Sequence, residues 1–149
     1  MSNRKIISIY VDTNVLINYC TGQHTDVKAL NYIFSKRRKE VLFTSSLAIV
    51  QTISKLQSKS RKRIAFSRET LISKLDELLK KFTVLDLSFV DIKEAFNQLN
   101  KDVEDNVHYV LSKKMKCDAI ITNNTKDFLF FKDVSLINPN SASIKSIIQ

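Results

Sequence analysis

Glycine and proline each occur once in 149 residues, tryptophan is absent, and cysteine and histidine number two apiece. With one glycine, neither the G-x-G-x-x-G turn of dinucleotide binding nor a Walker A phosphate loop can be written, which excludes nucleotide-cofactor enzymes of those types. The same scarcity excludes collagen-like, Gly/Ser-linker and Pro-rich architectures. Cys20 and Cys117 are far apart and lack the C-x-x-C spacing of a zinc or redox site, so they read as buried thiols in a reducing compartment. The apolar run at residues 6–11 is cut at Asp12, too short for a signal-peptide core, and no stretch nears the roughly 20 apolar residues of a membrane helix. These absences predict a soluble, cytoplasmic chain with no membrane partner.

What is present describes a folded protein. Apolar residues make up 44% and charged residues 26%, too rich in Ile, Leu, Val and Phe for a disordered chain. One domain spanning 1–149 is expected at this length. The net charge of +9 is unevenly placed: residues 1–74 hold 14 Lys and Arg against 4 acids, and residues 75–149 hold 10 against 11. Lys36-Arg37-Arg38-Lys39 and the set Lys55, Lys59, Arg61, Lys62, Arg63 and Arg68 are dense enough to hold a polyanion such as RNA through phosphate contacts. Solvated helix faces and a basic loop would look the same. Neither run has bulky apolar residues opposite its charges, which argues against a membrane surface.

Along the chain, short β-branched runs alternate with helical periodicities. Strands are predicted at 6–11, 41–43, 82–87, 119–122 and 134–137, and helices at about 14–20, from an Asp26 cap through Val27, Leu30, Ile33 and Phe34, after the Thr44-Ser45-Ser46 cap, after the basic stretch 57–68, at 89–100 behind Ser88, and at 103–115. Gly22 is placed to close the first helix. The alternation predicts a three-layer α/β/α sandwich with a central, mainly parallel sheet of four or five strands. In such sheets ligands bind outside the carboxyl ends of the strands, where strand order reverses.

Three aspartates fall at such ends. Asp12 follows the first strand, Asp105 lies off the apolar stripe at the start of the helix that opens Asp102-Val103-Glu104-Asp105, and Asp127 follows the fourth strand. Each alone fits a helix cap or a first-turn acid complementing the macrodipole. Together on one rim they could not all stay ionised without a cation, and hard oxygen ligands select Mg2+ or Mn2+. With basic surface nearby, this predicts metal-assisted hydrolysis of a phosphodiester.

At these residues the sequence resembles the PIN domain family, through Val11-Asp12-Thr13-Asn14-Val15-Leu16, Asp102-Val103-Glu104-Asp105-Asn106 and Ile121-Thr122-Asn123-Asn124-Thr125-Lys126-Asp127-Phe128 in the family's order. The resemblance implies a Mg2+- or Mn2+-dependent endoribonuclease of the kind found as VapC-type toxins, with RNA as substrate, an antitoxin protein as partner and a homodimer as assembly. Carried over position by position, it implies Asp12, Asp105 and Asp127 as catalytic metal ligands, with Thr13, Asn14, Thr122 and Asn124 shaping or hydrogen-bonding the site. One departure stands out: many members place a Glu in the helix after strand two, where this chain has Gln51. An amide can ligate a metal or hold a water but brings no charge, and Glu40, which precedes strand two, is expected at the opposite end of the sheet. A catalytically weakened RNA-binding module and a structure-specific DNA nuclease are therefore the two rival readings. His24 and His108 lack ligand spacing and read as structural or surface residues, although His108, three residues after Asp105, is the better placed for a minor site role.

Overall fold

Ile9, Tyr10 and Val11 are β-branched or aromatic and fully buried, as a strand at the centre of a parallel sheet requires. The computed structural model describes residues 6–22, 31, 34–35, 41–59 and 64–140. Five strands, β1 (Ile9–Val11), β2 (Leu42–Ser45), β3 (Thr83–Leu85), β4 (Ala119–Ile121) and β5 (Ser135–Ile137), form one sheet in the order β3-β2-β1-β4-β5, with every neighbouring pair parallel. Between them run α1 (Thr13–Thr21), α2 (Ser46–Gln57), α3 (Arg68–Leu79), α4 (Phe89–Ala95), α5 (Val103–Lys114) and a short 3-10 turn at Thr125–Phe128. The winding reverses between β1 and β4, so a crevice opens at their carboxyl ends.

The two-residue period of the strands divides the core into layers. Ile9, Val11, Leu42, Ala119 and Ile121 pack with Val15, Leu16, Leu56, Leu71 and Phe82 on one face. Tyr10, Phe43 and Ile120 pack with Val107, Val110, Leu111 and Phe128 on the other. Cys20 belongs to the first layer and Cys117 to the second, both as free, buried thiols, and burial pushes them up to about 11 and about 12 respectively. Among the described residues no helix is long and apolar enough to cross a membrane.

Local chemistry sets the helix ends. Ser45 ends β2 and caps α2, its hydroxyl accepting from the Ala48 N–H at 3.1 Å. Ser88 and Asp91 form a reciprocal capping box at the start of α4. Gly22 closes α1 at φ 70°, donating its N–H to the Asn18 carbonyl at 2.7 Å.

The helix expected over 89–100 is shorter than its periodicity suggested. After Ala95, the N–H groups of Asn97 and Gln98 turn back to the carbonyls of Glu94 and Ala95, the tighter i→i+3 pattern. Asn100 is then drawn away to the Asp127 carbonyl and to the Asn106 side chain. His24, Asp26, the run 36–39, Glu40 and the basic triplet Arg61, Lys62 and Arg63 lie outside the described residues.

Candidate active site

Asp12 leaves β1 and becomes the N-cap of α1 in one step. Its Oδ1 accepts from the Thr13 N–H at 2.8 Å, while Oδ2 accepts from the Thr122 hydroxyl at 2.8 Å and from the Asn14 amide at 3.2 Å. The carboxylate is buried and held from three sides. Thr122 is the junction of this arrangement, because its oxygen also accepts from the Asn124 N–H at 3.1 Å and from Asn14 at 3.3 Å. Asn14 in turn accepts from the Asn123 N–H, tying α1 to the segment after β4. Thr13 through its backbone, and Asn14 and Thr122 through their side chains, thus hold the Asp12 carboxylate, and Asn14 and Thr122 also tie down the segment that leaves β4.

Asp105 comes from the first turn of α5, which Asp102 caps by accepting from the Asp105 N–H at 3.1 Å. A cleft of about 670 Å3 is lined by Asp12, Thr13, Asn14, Gln51, Lys55, Glu104, Asp105, His108 and Asn124, among others. Asp105 therefore lies on the same side of the sheet as Asp12. Burial, with the charges of Asp102, Asp12, Asp127 and Glu104, pushes its carboxyl up to about 7. Asp127 is exposed on the 3-10 turn and does not line the cleft itself, although its charge reaches Asp105. Asn100 braces that turn by donating to the Asp127 carbonyl at 2.6 Å, and Asn106 holds Asn100 in place.

Two participants, Glu104 and Tyr10, escaped the reading of the sequence, and His108 was expected there only in a minor role. Glu104 lines the cleft and accepts from the Gln51 amide. His108 is buried in its wall, with Nδ1 2.7 Å from the Tyr10 hydroxyl and Nε2 3.0 Å from Gln51 Oε1. Burial holds this imidazole below its usual value against the opposing pull of Asp12, whose carboxylate is 3.7 Å away, so the contact is one between a neutral ring and an anion. Tyr10 looks like plain strand core in sequence, yet its hydroxyl bridges His108 and Ser45. Adjacency to Asp105 was the only local signal for Glu104.

Among the described residues no three His, Cys, Asp or Glu side chains gather tightly enough to enclose one ion. The donors nonetheless suit a hard divalent cation. Mg2+ is commonly held by one or two carboxylates plus waters and substrate phosphate rather than by an all-protein cage. Asp12, Asp105 and Glu104 present such oxygens, and the like-charge field on Asp105 is what a cation would relieve.

The PIN domain family model matches residues 9–135. The chain belongs to the PIN domain family. Several solved structures share the fold: a toxin–antitoxin complex from Klebsiella pneumoniae superposes with a TM-score of 0.63 at 18% identity, covering 89% of this chain and 98% of that one. VapBC2 of Rickettsia felis, bound to a promoter DNA fragment, gives 0.62 at 21% identity over 87% and 98%. VapC20 of Mycobacterium tuberculosis, described as a sarcin–ricin-loop-cleaving toxin, gives 0.58 at 13% identity over 76% and 87%. At these identities the likeness is one of fold. No curated protein matches the chain in sequence.

Proposed function

We propose that this PIN domain, a single unit spanning 1–149, is a divalent-metal-dependent endoribonuclease that acts as the toxin of a toxin–antitoxin pair in the cytoplasm. The observation that carries the reading is the placement of Asp12 and Asp105 in one cleft at the carboxyl ends of β1 and β4, with the Asp105 carboxyl pushed up to about 7 by burial and then by its acidic neighbours. Asp12 and Asp105, with Asp127 at the rim, would hold Mg2+ or Mn2+. When bound, the ion supplies Lewis-acid polarisation of a phosphoryl oxygen and a water of lowered pKa. The chain's own residues do the rest. Thr13, Asn14 and Thr122 keep Asp12 aimed, Asn124 offers an amide at the mouth, and Lys55 lines the cleft where a phosphate would lie. Arg61, Lys62 and Arg63 extend the RNA contact by charge.

An antitoxin partner is supported by neighbours of the same fold that are toxin–antitoxin complexes. A homodimer is supported by Phe89, Val90, Phe96 and Leu99, large apolar side chains that are all more than half exposed on and just after α4. Phe96→Lys with Leu99→Lys should convert a dimer to a monomer in light scattering.

Cleavage of single-stranded RNA, with single-stranded DNA in parallel, tests the activity. RNA should be cut with Mn2+ or Mg2+, cutting should stop with EDTA, and Asp12→Asn or Asp105→Asn should slow it roughly 100-fold or more. RNA binding without cleavage would favour the binding module that the neutral Gln51 suggests. Preferential cutting of DNA would favour the DNA nuclease.

A further inference from the structure

Gln51 is a neutral amide among carboxylates, and its partners dictate its orientation. Its Nε2 donates to a Glu104 carboxylate oxygen, while the Thr13 hydroxyl donates to its Oε1. A carboxylate only accepts, so the amide nitrogen must face Glu104 and the oxygen must face Thr13 and His108. That oxygen needs a donor from the imidazole, so His108 carries its hydrogen on Nε2, 3.0 Å away. Nδ1 is then an acceptor and takes the Tyr10 hydroxyl hydrogen at 2.7 Å. Tyr10 in turn accepts from Ser45 at 2.7 Å, and the Ser45 oxygen accepts from the Ala48 N–H. Ser45, Tyr10, His108, Gln51 and Glu104 thus form one chain in which every hydrogen points the same way.

The buried half of this chain is costly to break, because the Tyr10 hydroxyl and the His108 ring are buried and a lost link leaves one of their polar atoms unpaired. Both lone pairs of Gln51 Oε1 are engaged, which leaves this amide no oxygen to give a metal. Glu104, by contrast, is an exposed side chain in the first turn of α5, with several rotatable bonds, and among the described residues the Gln51 amide is what selects one orientation. We propose that Gln51 is a positioning residue that holds Glu104 in the cleft, and that Glu104 presents to a divalent cation the carboxylate that position 51 lacks. The charge on this wall then comes from α5 rather than α2, and His108, Tyr10 and Ser45 hold the clamp in register. This rests on the metal-dependent reading above.

The test is calorimetric titration of the full chain with Mn2+, together with 15N NMR of His108 in the metal-free protein. Glu104→Gln should weaken Mn2+ binding by about tenfold or more, because ligand charge sets affinity at such sites. Gln51→Met keeps every carboxylate and should weaken binding by about tenfold, the usual scale for a lost supporting contact. In the Glu104→Gln background, Gln51→Met should have no further effect, since the clamp has nothing to hold. NMR should find the His108 hydrogen on Nε2. Glu104 is exposed, so its replacement leaves the fold intact, which thermal melting checks. Wild-type binding with Glu104→Gln unaffected, or losses that simply multiply in the double variant, overturns this proposal alone. A hydrogen on Nδ1 overturns the clamp. A wild-type chain that takes no Mn2+ overturns the metal-dependent reading and Glu104 as a ligand, while the NMR result still reports on the clamp.

Discussion

Asp105 makes stability depend on pH, because its carboxyl is pushed up from 3.8 to about 7 by burial and by its acidic neighbours. The folded, metal-free protein holds that proton more tightly than the unfolded chain does. This contribution to stability is therefore complete at low pH and is lost as pH rises from about 4 to about 7. Solvent screening of a part-buried group reduces the loss to about 1–2 kcal/mol. Asp105→Asn should remove that slope from denaturant melts taken between pH 5 and pH 8, and a divalent cation should flatten it in the wild type. Thr122→Val probes the other side of the cleft. It withdraws the donor to Asp12 and the acceptor for the Asn124 N–H, both buried or part-buried, and should cost about 1–3 kcal/mol in urea unfolding. Asp12, Asp105 and Asp127 were legible in the sequence because each sits beside a strand end or helix start, a local feature. Asp127's absence from the cleft lining was not, since its position depends on how the Asn100 and Asn106 amides brace the 3-10 turn.

Caps and breaks decide which elements form. The capping box of α4 is the clearest case, and Ser88→Ala should destabilise the fold by about 1 kcal/mol in thermal or chemical melts. Asp91, its other half, is pushed up by burial but pulled below its usual value on balance, by hydrogen bonds from Ser88 and by Lys114 at 3.2 Å. A depressed carboxyl contributes stability above its unfolded pKa of about 3.8 and loses it as pH falls through the lower folded value. Ser88→Ala should therefore also reduce the acid-induced loss of stability below pH 4. The early end of α4 shows the limit of periodicity. Leucine and phenylalanine spacing continued past Ala95, but backbone bonds of the i→i+3 type and the tertiary engagement of Asn100 took the chain elsewhere.

At the scale of the molecule, the parallel sheet places the acidic cleft at the reversal point between β1 and β4, and the chain's excess positive charge lies N-terminal to residue 75. In the proposed reading, Asp12 and the phosphate-binding cations come from the first half of the chain and Asp105 from the second. Neutralising Arg61, Lys62 and Arg63 together should weaken single-stranded RNA binding and lower the slope of log affinity against log salt by about 2, at roughly 0.7 per lost contact. Fluorescence anisotropy over a salt series checks this. An unchanged slope would make the triplet a solvated loop.

What the sequence alone determined is what depends on near neighbours: the strand and helix alternation, the caps at Ser45, Ser88 and Gly22, the parallel α/β class, and the carboxylates at strand ends. What only the tertiary structure decided is the company those residues keep. Gln51 meets Glu104 across 53 residues and His108 across 57, and Tyr10 meets His108 across 98. Side-chain periodicity reports which face of an element is buried, but not which polar atoms on two distant elements come within hydrogen-bond reach. The elevated Asp105 carboxyl has the same origin, because beyond its burial and the acids of its own helix turn it feels Asp12 and Asp127, brought near only when the strands and α5 pack.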